Sequence, residues 1–119
     1  GSHEPPAHFR VPMAMREYAL DMAARLEHLP SRPERLPELL AFAEGRLLSI
    51  HPFTDFNGRV TRLFLRLLLR RLELPAIDLV PSAQNTAAYL QALGAGDRAD
   101  WSPLAAVWRD RLLQEGGGA

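Results

Sequence analysis

The sequence predicts an all-α fold, formed as a single bundle of helices. Apolar side chains recur every three or four residues in several stretches of the chain, which is the spacing of amphipathic helices. Prolines, or a serine that can cap a helix, stand at the boundaries of these stretches. The length of 119 residues suits one domain with one core, and we find no internal repeat.

The first two helices are expected on either side of a proline-rich break at residues 30–33. The second helix should run from about residues 34–36 to residues 48–49, because Pro37 is tolerated only in a first turn and His51-Pro52 ends a helix. Gly45 inside it costs about 1 kcal/mol relative to alanine, which favours a close helix–helix contact at that position. The first helix, expected over residues 14–29, has an apolar side made of Met15, Ala19, Met22, Ala23 and Leu26.

The third helix, expected over residues 58–72, is apolar on most of its circumference. Such a helix is typical of the centre of a bundle, where it packs on several sides. We interpret Arg66 and Arg70 as its solvated edge. Arg59 and Arg62 sit in the first turns, where cations oppose the helix dipole and are better tolerated if an anion binds.

Two further helices complete the predicted bundle. Ser82 is expected to cap a helix that runs to about Leu93, followed by a loop at residues 94–97. Ser102-Pro103 is a cap followed by a first-turn proline, so we expect a last helix from there to about Gln114. Trp101 and Trp108 are interpreted as core residues, and residues 116–119 as a flexible tail.

The residues that bear chemistry lie just before the third helix. Between His51 and Arg62 the chain reads HPFTDFNGRVTR, which combines an imidazole, a carboxylate, an amide, a glycine and two arginines. A helix start offers unpaired N–H groups and the positive end of a dipole, and Gly58 lets the backbone approach a phosphate. Asp55 is the type of oxygen ligand that Mg²⁺ takes when phosphates and water supply the rest. The stretch therefore predicts a site for phosphate and metal, with a base at its edge.

This stretch resembles the signature of the Fic-domain proteins, HPFx(D/E)GNGRxxR, and departs from it at Phe56, where the family usually has glycine. The looser resemblance runs from about Phe9 to Leu113. It implies a Fic-fold helical bundle around a central motif helix, with a short β-hairpin flap upstream that docks target segments by strand addition. Residues Phe9 to Val11, including Arg10, would form the second strand of that flap.

The resemblance implies a role for each motif residue. His51 would take the proton from a target hydroxyl, and Asp55 would hold Mg²⁺ against the nucleotide phosphates. Asn57 and the backbone at Gly58 would bind the α-phosphate. Arg59 and Arg62 would bind the β- and γ-phosphates. Phe53 would pack inward and hold the loop in place.

The implied reaction is transfer of a nucleotide monophosphate, usually AMP from ATP, to a Ser, Thr or Tyr hydroxyl of a target protein. The kinase-type branch of the family typically has Ala-Asn-Lys-Arg where this chain has Phe-Asn-Gly-Arg, which argues for nucleotidyl transfer. Phe56 leaves two readings open. The ring lines the nucleotide pocket and activity is retained, or it disables transfer and leaves a nucleotide- or partner-binding module.

Family members are often inhibited by a helix with the pattern Ser/Thr-x-x-x-Glu-Gly/Asn, whose glutamate pairs with the position matching Arg62. Glu44-Gly45 and Glu115-Gly116 lack the required Ser or Thr. Three possibilities remain open. The inhibitory helix lies upstream of this chain, a separate antitoxin-like protein supplies it, or there is no inhibitor. Each predicts an Arg62 that is open to ATP.

Composition limits the remaining possibilities. Fourteen basic and fourteen acidic residues give zero net charge, which disfavours a nucleic-acid partner or a membrane surface. The absence of cysteine excludes disulfides and thiolate metal sites. Gly1-Ser2-His3 resembles a purification-tag remnant, and the abrupt start at Glu4 suggests N-terminal truncation of a single domain over residues 4–115. We expect a bacterial cytoplasmic protein, or one delivered into a host cell as an effector.

Overall fold

The computed structural model describes residues 10–50 and 57–117, with side chains as far as residue 114. The described chain forms α1 (Val11–His28), α2 (Leu36–Ile50), α3 (Asn57–Arg71), α4 (Thr86–Asp97) and α5 (Ser102–Gly117). Two 3₁₀ turns, Leu29–Ser31 and Pro33–Arg35, join α1 to α2. Because these residues contain no strand, the all-α prediction is confirmed.

Helix α2 lies at the centre of the described bundle. It contacts α1, α3, α4 and α5, and every residue from Leu39 to Gly45 is buried. The sequence pattern favoured α3 for this position. Helix α3 instead packs mainly on α2, and its exposed side carries both arginines and leucines. The buried residues of α3 are Thr61, Leu65, Leu68 and Leu69.

Two glycines let the helices pack around one indole ring. A Cβ placed on Gly45 of α2 or on Gly96 of α4 would lie 2.5 Å from Cζ3 of Trp101. The expected close contact at Gly45 is therefore confirmed. The loop predicted for residues 94–97 is wrong, because α4 continues to Asp97 and uses Gly96 to receive the ring.

Several predicted boundaries move by a few residues. Val11 is the first residue of α1, with Pro12 in its first turn, so Arg10 and Val11 do not belong to a strand. Phe9, the remaining residue of that expected flap strand, lies outside the described residues. Ser82 does not cap α4 either. Its carbonyl oxygen accepts a bond from Oγ1 of Thr86, and α4 begins at Thr86.

The C-terminal helix closes the core. It starts at Ser102, as predicted, and continues beyond Gln114 to Gly117. Trp108 is fully buried between the helices, while Trp101 is half-buried with its ring edge-on to Phe42. Within the described residues, no helix is long and apolar enough to cross a membrane.

Candidate functional site

The motif lies between two helices that pack on each other. Helix α2 ends at Ile50, which is 2% exposed, and α3 begins at Asn57. Residues 51–56, which join them, lie outside the described residues. The predicted site residues among them are His51, Phe53, Asp55 and Phe56.

Both ends of the motif segment are attached to the core. Ser49 and Ile50 are buried at the end of α2, and Thr61 is buried in the second turn of α3. The close packing of α2 on α3 holds these two ends at a set separation. Functional groups carried on rigid elements keep their geometry better than groups on free loops.

The start of α3 has the electrostatic character expected of an anion site. Its first turn contains no acidic residue, and the start of a helix is the positive end of the helix dipole. Asn57 and Gly58 are half-buried there, whereas Arg59 is exposed. The positive end of the helix dipole and the positive charge of Arg59 therefore lie at the same end of α3.

Arg62 turns back toward this helix start. A Cβ built on Gly58 would lie 3.3 Å from Nη1 of Arg62, so the guanidinium lies beside the first turn and not along the helix toward its C-terminus. The side chain is half-buried, which keeps the charge close to the backbone. Gly58 therefore provides room for the arginine.

A buried polar cluster behind the motif was not predicted from the sequence. Glu44 of α2 is 1% exposed, and its Oε1 accepts bonds from Nε1 of Trp108 and Nη1 of Arg111, both at 2.9 Å. Its Oε2 accepts a bond from the hydroxyl of Tyr89 on α4. Arg111 also donates from Nη2 to the carbonyl oxygen of Leu79 at 3.1 Å. We call Glu44, Tyr89, Trp108 and Arg111 the Glu44 cluster.

The Glu44 cluster connects α2, α4, α5 and the segment before α4. Glu44 lies in α2 six residues before Ile50, the last residue of that helix, so the cluster holds the helix that leads into the motif. Burial raises the pKa of Tyr89, and the neighbouring Glu44 carboxylate raises it further. One feature of the sequence does point to this cluster, because Glu44 stands inside the apolar run of α2. Its partners lie too far away along the chain to be predicted from the sequence.

A scan against family models matches residues 1–69 to the family described as Fic/DOC family, which is more than half of this chain. The chain therefore belongs to the Fic/DOC family, and the resemblance read from the motif is confirmed.

The relatives found among curated proteins are named as transferases. "Protein adenylyltransferase fic-1" of Caenorhabditis briggsae and that of Caenorhabditis elegans are each 36% identical over 67 residues, which is 56% of this chain and 13% of theirs. "Protein adenylyltransferase Fic" of Drosophila persimilis is 39% identical over 59 residues, which is 48% of this chain and 11% of its own length. This chain thus matches a small part of each relative. No solved structure matches it.

Proposed function

We propose that this chain is a protein adenylyltransferase that moves AMP from ATP to a Ser, Thr or Tyr hydroxyl of a target protein. The main support is the position of the motif, which ends in an α3 start where Arg62 turns back onto Gly58. Membership of the Fic/DOC family and the names of the matched relatives agree with this activity.

In the proposed reaction, His51 removes the proton of the target hydroxyl. The resulting oxygen attacks the α-phosphorus of ATP and forms a new P–O bond. The bond between the α-phosphorus and the α–β bridging oxygen breaks, and pyrophosphate leaves with that electron pair. General-base catalysis of this kind contributes about 10²–10⁴-fold to a rate.

The groups at the start of α3 bind and orient the nucleotide. Asn57 and the backbone at Gly58 hold the α-phosphate, where charge develops in the transition state. Arg59 and Arg62 hold the β- and γ-phosphates, because guanidinium groups match phosphate oxygens with two parallel bonds. In this proposal, the role of Phe53 is to hold the loop and that of the Phe56 ring is to line the nucleotide pocket.

In this proposal, Asp55 is the one protein ligand of Mg²⁺. A carboxylate oxygen suits an ion whose other ligands are phosphate oxygens and water. When bound, the ion neutralises phosphate charge and orients the leaving pyrophosphate.

The proposal is tested with ATP labelled at the α- or the γ-phosphate, incubated with Mg²⁺, the protein and cell lysate. We expect α-label on protein, and a loss of about 100-fold or more for His51→Ala. Arg62→Ala should raise KM for ATP, whereas Arg66→Ala, an exposed arginine on the same helix, should not. Protein labelled only from the γ-position would show a kinase. Nucleotide binding with no labelled protein would show a binding module, and either result would reject the proposal.

A further inference from the structure

A long apolar groove separates α1 from α3 on the surface of the bundle. Its volume is about 660 Å³. Tyr18 of α1 meets Phe64 of α3 at its floor, with ring centroids 6.2 Å apart. The α1 wall extends from Met15 to Leu26, roughly 16 Å at 1.5 Å per residue, which is about three helical turns. The side chains of this wall are Met15, Ala19, Met22, Ala23 and Leu26.

The groove continues onto an exposed apolar ridge of α3. Leu63 is 57% exposed and Leu67 is 54% exposed, although each lies one turn or less from Phe64. Residues three and four apart are neighbours on a helix surface, so these leucines form one strip beside the groove. Single exposed leucines are ordinary on protein surfaces, but a strip that extends an open apolar groove is typical of a binding surface.

Positive charge borders this strip. Arg66 follows Leu63 by three residues and Arg70 follows Leu67 by three, so both arginines lie beside the leucines, on the side away from Phe64. Helix α3 carries five arginines and no acidic residue, in a chain of zero net charge. Among the described residues, no carboxylate forms an ion pair with Arg66 or Arg70. At the groove rim itself, Arg71 and Glu27 supply one charge of each sign.

We propose that the groove between α1 and α3 binds an amphipathic helix of another protein, one whose apolar side faces the groove and whose flank facing Arg66 and Arg70 is acidic. The groove is long enough, and its lining apolar enough, to hold the apolar side of a helix. The positive charges of Arg66 and Arg70 favour a helix with an acidic flank. A second copy of this chain is disfavoured, because a two-fold contact through α3 would bring the arginine rows of both copies together.

The test uses three synthetic helical peptides with the same leucine side and different flanks. One has glutamates on the flank, one has lysines, and one has the glutamate composition in scrambled order. We expect the glutamate-flanked peptide to bind at least ten-fold more tightly than the lysine-flanked one at low salt, and the difference to shrink as salt is added. Fluorescence anisotropy measures both affinities.

Protein variants assign the binding to the groove. Leu63→Ser/Leu67→Ser should weaken binding of the glutamate-flanked peptide by at least ten-fold. Leu113→Ser, which changes an even more exposed leucine on α5, should not weaken it. Arg66→Glu/Arg70→Glu should reverse the preference between the two flanked peptides. Circular dichroism confirms that each variant is folded.

Equal affinity for both flanks, binding that survives the leucine change, or no binding to any peptide would each overturn the proposal. A concentration-dependent dimer that the leucine change abolishes, measured by sedimentation, would assign the surface to self-association and would also overturn it. None of these measurements depends on catalysis, so the result is independent of the proposed transferase activity.

Discussion

Replacement of Arg111 by methionine should be among the most destabilising single changes in this protein. Methionine keeps an unbranched apolar side chain, which ends at about the position of the arginine Nε, but it removes the charged end of the guanidinium. Glu44 then retains the bonds from Trp108 and Tyr89 but loses the only cation that the structure places within bonding distance of it in the described chain. Removal of one partner from a buried ion pair costs about 3–5 kcal/mol, because the remaining charge stays buried without compensation.

The magnitude follows from burial and bonding. The Glu44 side chain is 2% exposed and that of Arg111 is 10% exposed, so water does not replace the lost partner. The replacement of Arg111 also removes the hydrogen bond that its Nη2 donates to the carbonyl oxygen of Leu79. Domains of this size are stable by about 5–15 kcal/mol, so we expect a large fraction of the total to disappear.

Urea denaturation followed by circular dichroism measures this change. Arg109→Met, which removes an exposed arginine from the same helix, should alter the free energy of unfolding by no more than about 0.5 kcal/mol. The double variant Glu44→Met/Arg111→Met should recover part of the loss, since it removes the unpaired buried charge, although Trp108 and Tyr89 then lack their acceptor. A loss below about 1 kcal/mol for Arg111→Met, or no coupling between the two changes, would refute the reasoning.

Three further predictions concern stability. Burial raises the pKa of Tyr18, so the folded state keeps a proton that the unfolded state loses above about pH 10. Stability should therefore fall above that pH, by up to about 1.4 kcal/mol per pH unit, and Tyr18→Phe should reduce this slope in alkaline denaturation. Gly96→Ala should cost about 1–3 kcal/mol because its Cβ meets Trp101, whereas Gly94→Ala, with open space around it, should be neutral or stabilising, as thermal melts will show. Glu73→Gly should raise Tm, because Glu73 holds a φ of 59° that favours glycine; an unchanged or lower Tm would contradict this.

The helices and the family were readable from local sequence. Helical spacing and prolines predicted each helix, and a run of residues between His51 and Arg62 was enough to indicate the Fic/DOC family. The Ser102-Pro103 start of α5 was also correct, since a cap and a first-turn proline act through neighbouring residues. Features that depend only on neighbouring residues can be predicted without knowledge of the fold.

Burial was harder to predict, because it depends on which helices meet. The apolar content of α3 suggested a central helix, but the structure places α2 at the centre and leaves Leu63 and Leu67 exposed. The same effect explains the error at residues 94–97. The glycines of this stretch suggested a loop, but they lie in α4, where Gly96 makes room for the ring of Trp101, the residue that precedes α5.

The sequence by itself determined the positions of the helices and the identity of the motif, since periodicity, capping and the motif chemistry act between residues close along the chain. Only the tertiary structure decided that Glu44 meets Arg111, that Gly45 packs against the ring of Trp101, and that a groove stays open between α1 and α3. These features depend on side-chain direction and on contacts between distant segments. Such contacts are set by the packing of the whole bundle, and no local pattern encodes them.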